Sequence, residues 1–207
     1  MLRDLNMDLV LTRFLQNKIL IDEDPKVFSG HINQAPIIDI IHHRNKTYVD
    51  HGFGYLVKDA IDEIDPLDAR AFHIWAECDE KIVGSLRILT HPFEIQSVIK
   101  PQQTLIGNLN NHIEIGRLAI NHRNPKIFER LMATACLHGI AHNHKGIVGM
   151  CRIAQKRLFE RFGLEAVDNN PLMVPSRNNG RYWIMGADWH RLSGTLCKEH
   201  EKELNIF

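Results

Sequence analysis

The chain has 207 residues and sets 25 Lys and Arg against 25 Asp and Glu, a formal net charge of zero with histidine neutral. A nucleic-acid binder carries a basic excess to displace counterions from phosphates, and this chain has none. With 44% hydrophobic and 24% charged residues, the composition is that of a globular protein with a sizeable core, not of a disordered or membrane-spanning chain.

In chain order, residues 3–20 read as a helix of modest amphipathicity, and 22–36 as loop because of Pro25, Gly30, Asn33 and Pro36. A better helix is expected from about Pro36 to Val49, opened by proline in its first turn, with Ile37, Ile38, Ile41, Tyr48 and Val49 on its apolar face. Residues 50–70 are polar, acidic and glycine-containing. A hairpin follows, AFHIWAEC over 71–78 and KIVGSLRILT over 81–90, joined at Asp79-Glu80. After an irregular region with Pro92, Pro101 and Gly107, HIEIGRLAI over 112–120 reads as a third strand. Then come a helix over 126–142, a strand over 146–151 and a helix over 152–162. Short strands near 164–167, 171–174 and 181–186 precede a polar C-terminal helix. Antiparallel strands followed by strand–helix–strand–helix imply an α/β (α+β) fold, a mixed sheet flanked by helices. One domain is expected over 1–207, with 1–35 as a helical N-terminal extension.

Cys78, Cys136, Cys151 and Cys197 form no CxxC pair, and no uninterrupted apolar run approaches the roughly 20 residues of a spanning helix. The N-terminal stretch has acids among its apolar positions and no small-residue cleavage pattern. A soluble cytoplasmic protein with reduced thiols and no membrane insertion is expected.

Four features carry chemistry. Arg44 falls on the apolar stripe of its helix, spaced with Ile37, Ile41 and Tyr48. It must either meet a carboxylate or reach past the stripe edge to solvent. The acidic run Asp59, Asp62, Glu63, Asp65 and Asp68 lacks the alternation of a calcium loop. It reads as a solvated loop or as the nearest supply of partners for Arg44. Arg87 follows apolar residues on its own strand face, which leaves a solvated arginine poorly placed. Glu114 and Arg117 point to opposite faces of a regular strand, but a bulge at Gly116 would turn both into one cleft. The bland alternative is a surface Glu and a surface Arg on an edge strand.

Together these motifs occur in one order: Arg44 with Tyr48, ExDxxD at Glu63–Asp68, GSLR at Gly84–Arg87 and ExxR at Glu114–Arg117. In this the chain resembles the acyl-homoserine-lactone (autoinducer) synthases and the related N-acyl amino acid synthases, branches of the GNAT-like acyltransferases. The resemblance covers roughly residues 40–165. It implies a centrally splayed sheet holding an acyl thioester, usually delivered by acyl carrier protein, whose carbonyl is attacked by an amine. It further implies that Arg44, Asp65, Asp68 and Arg87 form the charged network of the acceptor half. Glu114 would be the general base, through water, with Arg117 as its electrostatic partner. A positioned carboxylate that takes the ammonium proton is worth about 10²–10⁴-fold, and bulged-strand N–H groups would stabilise the oxyanion.

Two departures stand out. Phe53-Gly54-Tyr55 occupies the place of the autoinducer synthases' tryptophan, and Asn121–Lys126 lacks the glycine-rich pyrophosphate turn of ordinary acetyltransferases. The latter favours a carrier-protein donor over coenzyme A, although a helix N-terminus there could still meet phosphate. A basic patch for an acidic carrier is available in Lys145, Arg152, Lys156, Arg157 and Arg161, which read equally as a solvated helix face. Leu131, Met132, Met150 and Phe159 could line an acyl tunnel or simply fill the core. His138 and His142, with His144 nearby, are spaced for a metal but lack an accompanying glutamate motif; no metal and no bound cofactor are expected.

The expected activity is N-acyl transfer from acyl-carrier protein to a small amine. The acceptor is S-adenosylmethionine, giving an acyl-homoserine lactone signal, or an amino acid. The competing expectation is a non-catalytic GNAT-like protein that binds an acyl chain or small ligand; a protein-lysine acyltransferase is a third.

Overall fold

The computed structural model describes residues 11–13, 15–16, 25–57, 64–99, 109–124 and 126–195. β1 (Lys26–His31), α1 (Ile37–Asp50) and the short α2 (Pro66–Ala69) precede the hairpin of β2 (Phe72–Cys78) and β3 (Lys81–Leu89). Then follow α3 (Glu94–Val98), β4 (His112–Ile120), α4 (Lys126–Ala141), β5 (Gly146–Arg152) and α5 (Ile153–Arg161). β6 (Glu165–Ala166), β7 (Leu172–Val174) and β8 (Gly180–Asp188) complete an eight-stranded sheet of order β1-β2-β3-β4-β5-β8-β6, with β7 also on β8. Its pairings are antiparallel except β4 with β5, which α4 joins as a crossover.

Local sequence accounts for most of these elements. Asp79 and Glu80, with φ of 49° and 59°, make the two-residue turn, whose left-handed residues match the right-handed twist of the flanking strands. Asp65 caps α2 by accepting a hydrogen bond from Leu67 N–H at 2.9 Å, with Pro66 in the first turn. Two expectations are corrected. The loop expected over 22–36 contains edge strand β1, whose six consecutive residues pair with β2 from Lys26↔Glu77 to His31↔Phe72. The N-terminal 35 residues are therefore not a purely helical extension. Leu11 and Leu15, in the helical part described, sit in the main core at 1% and 0% exposure. The irregular region after Pro92 also holds helix α3. Asp59, Asp62, Glu63 and Cys197 lie outside the described residues, as do much of the helix expected over 3–20 and the end of the chain.

Strand alternation sorts the sheet into two faces. Ile74, Leu86, Ile88, Ile113, Ile115 and Ile147 join α4 and α5 in the large core. On the other face Phe93, Ile95, Val148, Leu172 and Ile184 make a smaller cluster, and α1 covers β3 and β4. Arg87 and Glu114, at odds in register with those core isoleucines, point to this second face.

The sheet opens in its middle, as the splayed fold requires. β4 and β5 are registered only from His112↔Gly146 to Ile115↔Gly149. Just beyond, β4 bulges against β3: Ser85 faces Ala119 and Arg87 faces Gly116, leaving one extra residue on β4. The extra residue falls after Gly116, where the bulge was expected, and Arg117 takes the left-handed backbone with φ of 53°. The bulge does reverse strand parity, so Glu114 and Arg117 line one cleft.

Gly149 closes the last registered pair. A Cβ there would lie 2.7 Å from Ile115 Cγ1 and 3.0 Å from the Ile115 carbonyl oxygen. Gly149→Ala should therefore lower the unfolding free energy by about 1–3 kcal/mol through overpacking, read as a fall in urea midpoint at constant m-value. An unchanged midpoint would mean that the two strands are slack at this point.

Candidate active site

The acidic motif and Arg44 meet as a buried ion pair. α2 presents Asp68 at 0% exposure, and Arg44 grips it with both terminal nitrogens, Nη1 at 3.1 Å and Nη2 at 2.7 Å. Arg44 is thus the paired arginine, not the snorkelling one. Arg87 Nη1 donates to the same carboxylate at 2.9 Å and lies 3.9 Å from Asp65. From β2, His73 Nε2–H donates to the Asp68 carbonyl at 3.0 Å, fastening the helix itself.

Arg87 extends this network to a residue that the motifs do not contain. Its Nη2 meets Glu94 Oε2 at 2.5 Å, while Arg117 and Arg177 each reach Glu94 Oε1 at 2.9 Å. Arg117 also lies 3.6 Å from Asp65. The partner of Arg117 is therefore Glu94, and the expected pairing of Arg117 with Glu114 is corrected. Glu114 takes backbone donors instead: Glu94 N–H to Oε2 at 2.5 Å and Ile95 N–H to Oε1 at 3.1 Å.

These residues back onto a cleft at the parting of β4 and β5, with about 730 Å³ of empty space partly open to solvent. Of the six expected site residues, Glu114 and Arg117 line it. Arg44, Asp65, Asp68 and Arg87 stand behind its wall, joined to it through Glu94 and Arg117. The wall also holds Tyr48, Phe53, Arg152, Arg177 and Tyr182. Arg152 sits among three rings, 4.9 Å from Phe53, 5.1 Å from Tyr55 and 5.3 Å from Tyr182. Its Nε donates to the Tyr182 hydroxyl at 3.2 Å. Glu94 and Arg177 carried no motif in sequence; the one available signal was a charged residue inside an otherwise apolar PFEI tetrapeptide.

Burial divides the carboxylates into two kinds. Burial alone would raise Asp68, but the Arg44 and Arg87 guanidiniums outweigh it and hold the carboxyl well below the usual carboxylate range. Glu94 is likewise held low, burial being overcome by Arg117, Arg87 and Arg177. Glu114 goes the other way. Burial, reinforced by the Glu94 charge, pushes it up to about 7 against its two backbone donors and Arg87. Burial also raises Tyr48, which keeps its hydroxyl proton at neutral pH.

The remaining expectations separate by position. Lys145 precedes β5 and Arg152 ends it, so a strand of roughly 20 Å keeps them from forming one basic patch. Arg157 and Arg161 are exposed on α5, whereas Lys156 pairs with Glu160 at 3.1 Å. Met150 and Phe159 line the cleft, but Leu131 and Met132 are core at 0% exposure. The His138 and His142 rings lie 4.2 Å apart, tilted by 32°, and His142 Nδ1–H donates to the His138 carbonyl at 2.8 Å. Among the described residues no helix is long and apolar enough to cross a membrane.

The fold is that of the GNAT-like acyltransferases. BjaI, a CoA-dependent acyl-homoserine lactone synthase solved with SAM and isopentyl-CoA, matches with TM-score 0.62 and 14% identity over 85% of this chain and 88% of its own. FeeM, an N-acyl amino acid synthase from uncultured soil microbes, matches with TM-score 0.61 and 9% identity over 79% and 92%. An acyl-CoA N-acyltransferase from Pseudomonas aeruginosa matches with TM-score 0.56 and 15% identity over 78% and 98%. Such identities show a shared fold. No protein-family model and no curated protein matches the chain.

Asp68→Asn would leave two buried guanidiniums without their main counter-charge, and should cost about 3–5 kcal/mol in denaturant unfolding. The pH dependence has opposite signs in the two kinds of carboxylate. Asp68 and Glu94, held low when folded, stabilise the protein above their unfolded values near 4, and that contribution is lost as pH falls. Glu114, raised to about 7, favours the folded state below its unfolded value, and this is lost as pH rises through about 7. Urea midpoints should thus fall steeply in acid for the wild type and less steeply for Asp68→Asn. Parallel acid limbs would contradict the assignment.

Proposed function

We propose that the protein is an N-acyltransferase that moves an acyl group from a thioester to a small amine. One observation carries the proposal. Glu114, a carboxyl group poised at about 7, lines the cleft where β4 and β5 part, beside a bulge that breaks the backbone ladder. A base poised near operating pH is what removal of an ammonium proton requires.

In this reading the thioester lies along the opening between the strands, with its acyl chain against Leu118, Met150 and Phe159. Glu114 removes a proton from the acceptor ammonium through a water. Each of its oxygens accepts one backbone hydrogen bond and keeps a lone pair for that water. The free amine attacks the carbonyl carbon and forms the C–N bond. The oxyanion meets N–H groups of the bulged segment around Arg117. The C–S bond then breaks, the sulfur leaves as thiol, and an amide and one proton are the net products. Arg44, Asp68 and Arg87 act from behind the wall by fixing Glu94 and Arg117.

The acceptor is an amino-acid-type amine, free or as S-adenosylmethionine, since Arg117, Arg152 and Arg177 give the cleft cations for a carboxylate. An acyl carrier protein as donor is favoured by the turn before α4. There Asn124 Oδ1 already accepts from Lys126 N–H at 2.9 Å, and no glycine-rich cradle surrounds it. Free thiols at Cys78, Cys136 and Cys151 suit a cytoplasmic setting.

The test is thiol release from acyl-carrier protein and acyl-CoA in the presence of amino acids or S-adenosylmethionine, with the product identified by mass. Turnover should rise with pH through about 7, because the base works ionised, and Glu114→Gln should lower it by about 10²–10⁴-fold. Amine-independent binding of thioester, with no thiol released from any donor, would favour the non-catalytic ligand-binding alternative.

A further inference from the structure

Glu94 occupies an unusual position. Its side chain is the meeting point of three arginines drawn from separate parts of the chain: Arg87 on β3, Arg117 on the β4 bulge and Arg177 just before β8. Its own backbone N–H, with that of Ile95, supplies the two hydrogen bonds that hold the Glu114 carboxylate. A single residue therefore both orients the cleft carboxylate and stands beside it as a charge. Neither α3 nor Glu94 belongs to the motifs that flank them.

Packing strengthens the point. α3 is one short turn, Glu94–Val98, too short to hold itself in place. Phe93 and Ile95, at 3% and 1% exposure, anchor its start in the smaller core. The arginine clamp then fixes its rotation, and so the direction of the two N–H groups. The charged and titratable groups around Glu114 are Glu94 on α3, Arg87 on β3, Arg117 on β4, Arg177 before β8, Asp65 beside α2 and Tyr48 on α1. Glu94 is the anion whose own backbone amide hydrogen-bonds the Glu114 carboxylate, and its charge opposes Glu114 ionisation.

We infer that Glu94 is a positioning residue for Glu114, with Arg177 as the cation that sets how much of the Glu94 charge Glu114 meets. The inference rests on Glu114 being the base of the proposed reaction. The two variants have opposite signs. Removing the Glu94 charge makes ionisation of Glu114 easier; removing Arg177 leaves Glu94 less neutralised and makes it harder.

Three variants and two readouts test this. In pH profiles of kcat, Glu94→Gln should move the acidic limb about one unit to lower pH and reduce kcat about tenfold, with KM within about twofold. Arg177→Gln should move the limb to higher pH by about half a unit. Glu94→Asp, which keeps the charge, should leave the limb near that of the wild type. Carboxyl titration of Glu114 by ¹³C NMR on the same variants, without substrate, reports the same shifts whether or not the protein turns over a thioester. A wild type with no turnover thus counts against the acyltransferase reading, while the NMR shifts still decide the role of Glu94. If Glu94→Gln fails to fold, Arg177→Gln by NMR decides alone. Limbs and titrations that stay put, or that move in the same direction in both variants, overturn the inference.

Discussion

Guanidinium groups do not surrender their charge inside a protein, and this structure is arranged around that constraint. Arg87, at 1% exposure, is among the largest fully buried side chains. It is stable there because Asp68 and Glu94 neutralise it from two sides. Arg44 completes the clamp on Asp68; Arg117 and Arg177 complete the one on Glu94. Four arginines face Asp65, Asp68, Glu94 and Glu114, so the centre is neutral when Glu114 is ionised and one proton positive when it is not. The zero net charge of the chain is thus repeated in this network when Glu114 is ionised, and Arg152 on the cleft wall adds one positive charge beside it.

Geometry follows from the same network. α2 is a single turn, and its position depends on the Asp65 cap, the His73 hydrogen bond and the Asp68 ion pairs. Arg117 holds a left-handed backbone that costs roughly 1–2 kcal/mol for a non-glycine residue. Its ion pairs to Glu94 and Asp65 offset that strain. The bulge in turn separates β4 from β5 and opens the cleft. In the proposed reaction the opening, the base and the oxyanion donors share one origin, the extra residue of β4.

Much of this was legible in the sequence because alternation and spacing are local. The hairpin, β4, the crossover through α4 and the faces of Arg44 and Arg87 follow from periodicity, and the acids of ExDxxD were the nearest partners for Arg44. Parity also showed that Glu114 and Arg117 could share a cleft only through a bulge, although it placed the bulge one residue early. What escaped was non-local. β1 lies in a stretch dominated by turn residues and its burial does not alternate, so its pairing with β2 outweighs local signals. Glu94 and Arg177 meet across 83 positions of sequence, and no spacing rule connects them. The resemblance implied that Arg44, Asp65, Asp68 and Arg87 form the acceptor half, whereas they stand behind the cleft wall, because sequence marks buried charge without telling a supporting layer from a lining one.

In the proposed reaction the opening between β4 and β5 is where an acyl thioester reacts. The decisive measurement is a crystal structure with a non-reactive ketone analogue of an acyl-pantetheine donor, a methylene inserted between carbonyl and sulfur. The carbonyl should be seated beside the bulge at Gly116–Leu118, with Glu114 within one water of its open face and the acyl chain against Met150 and Phe159. An analogue bound elsewhere, or bound in the cleft with Glu114 sealed from it behind Glu94, would contradict the claim.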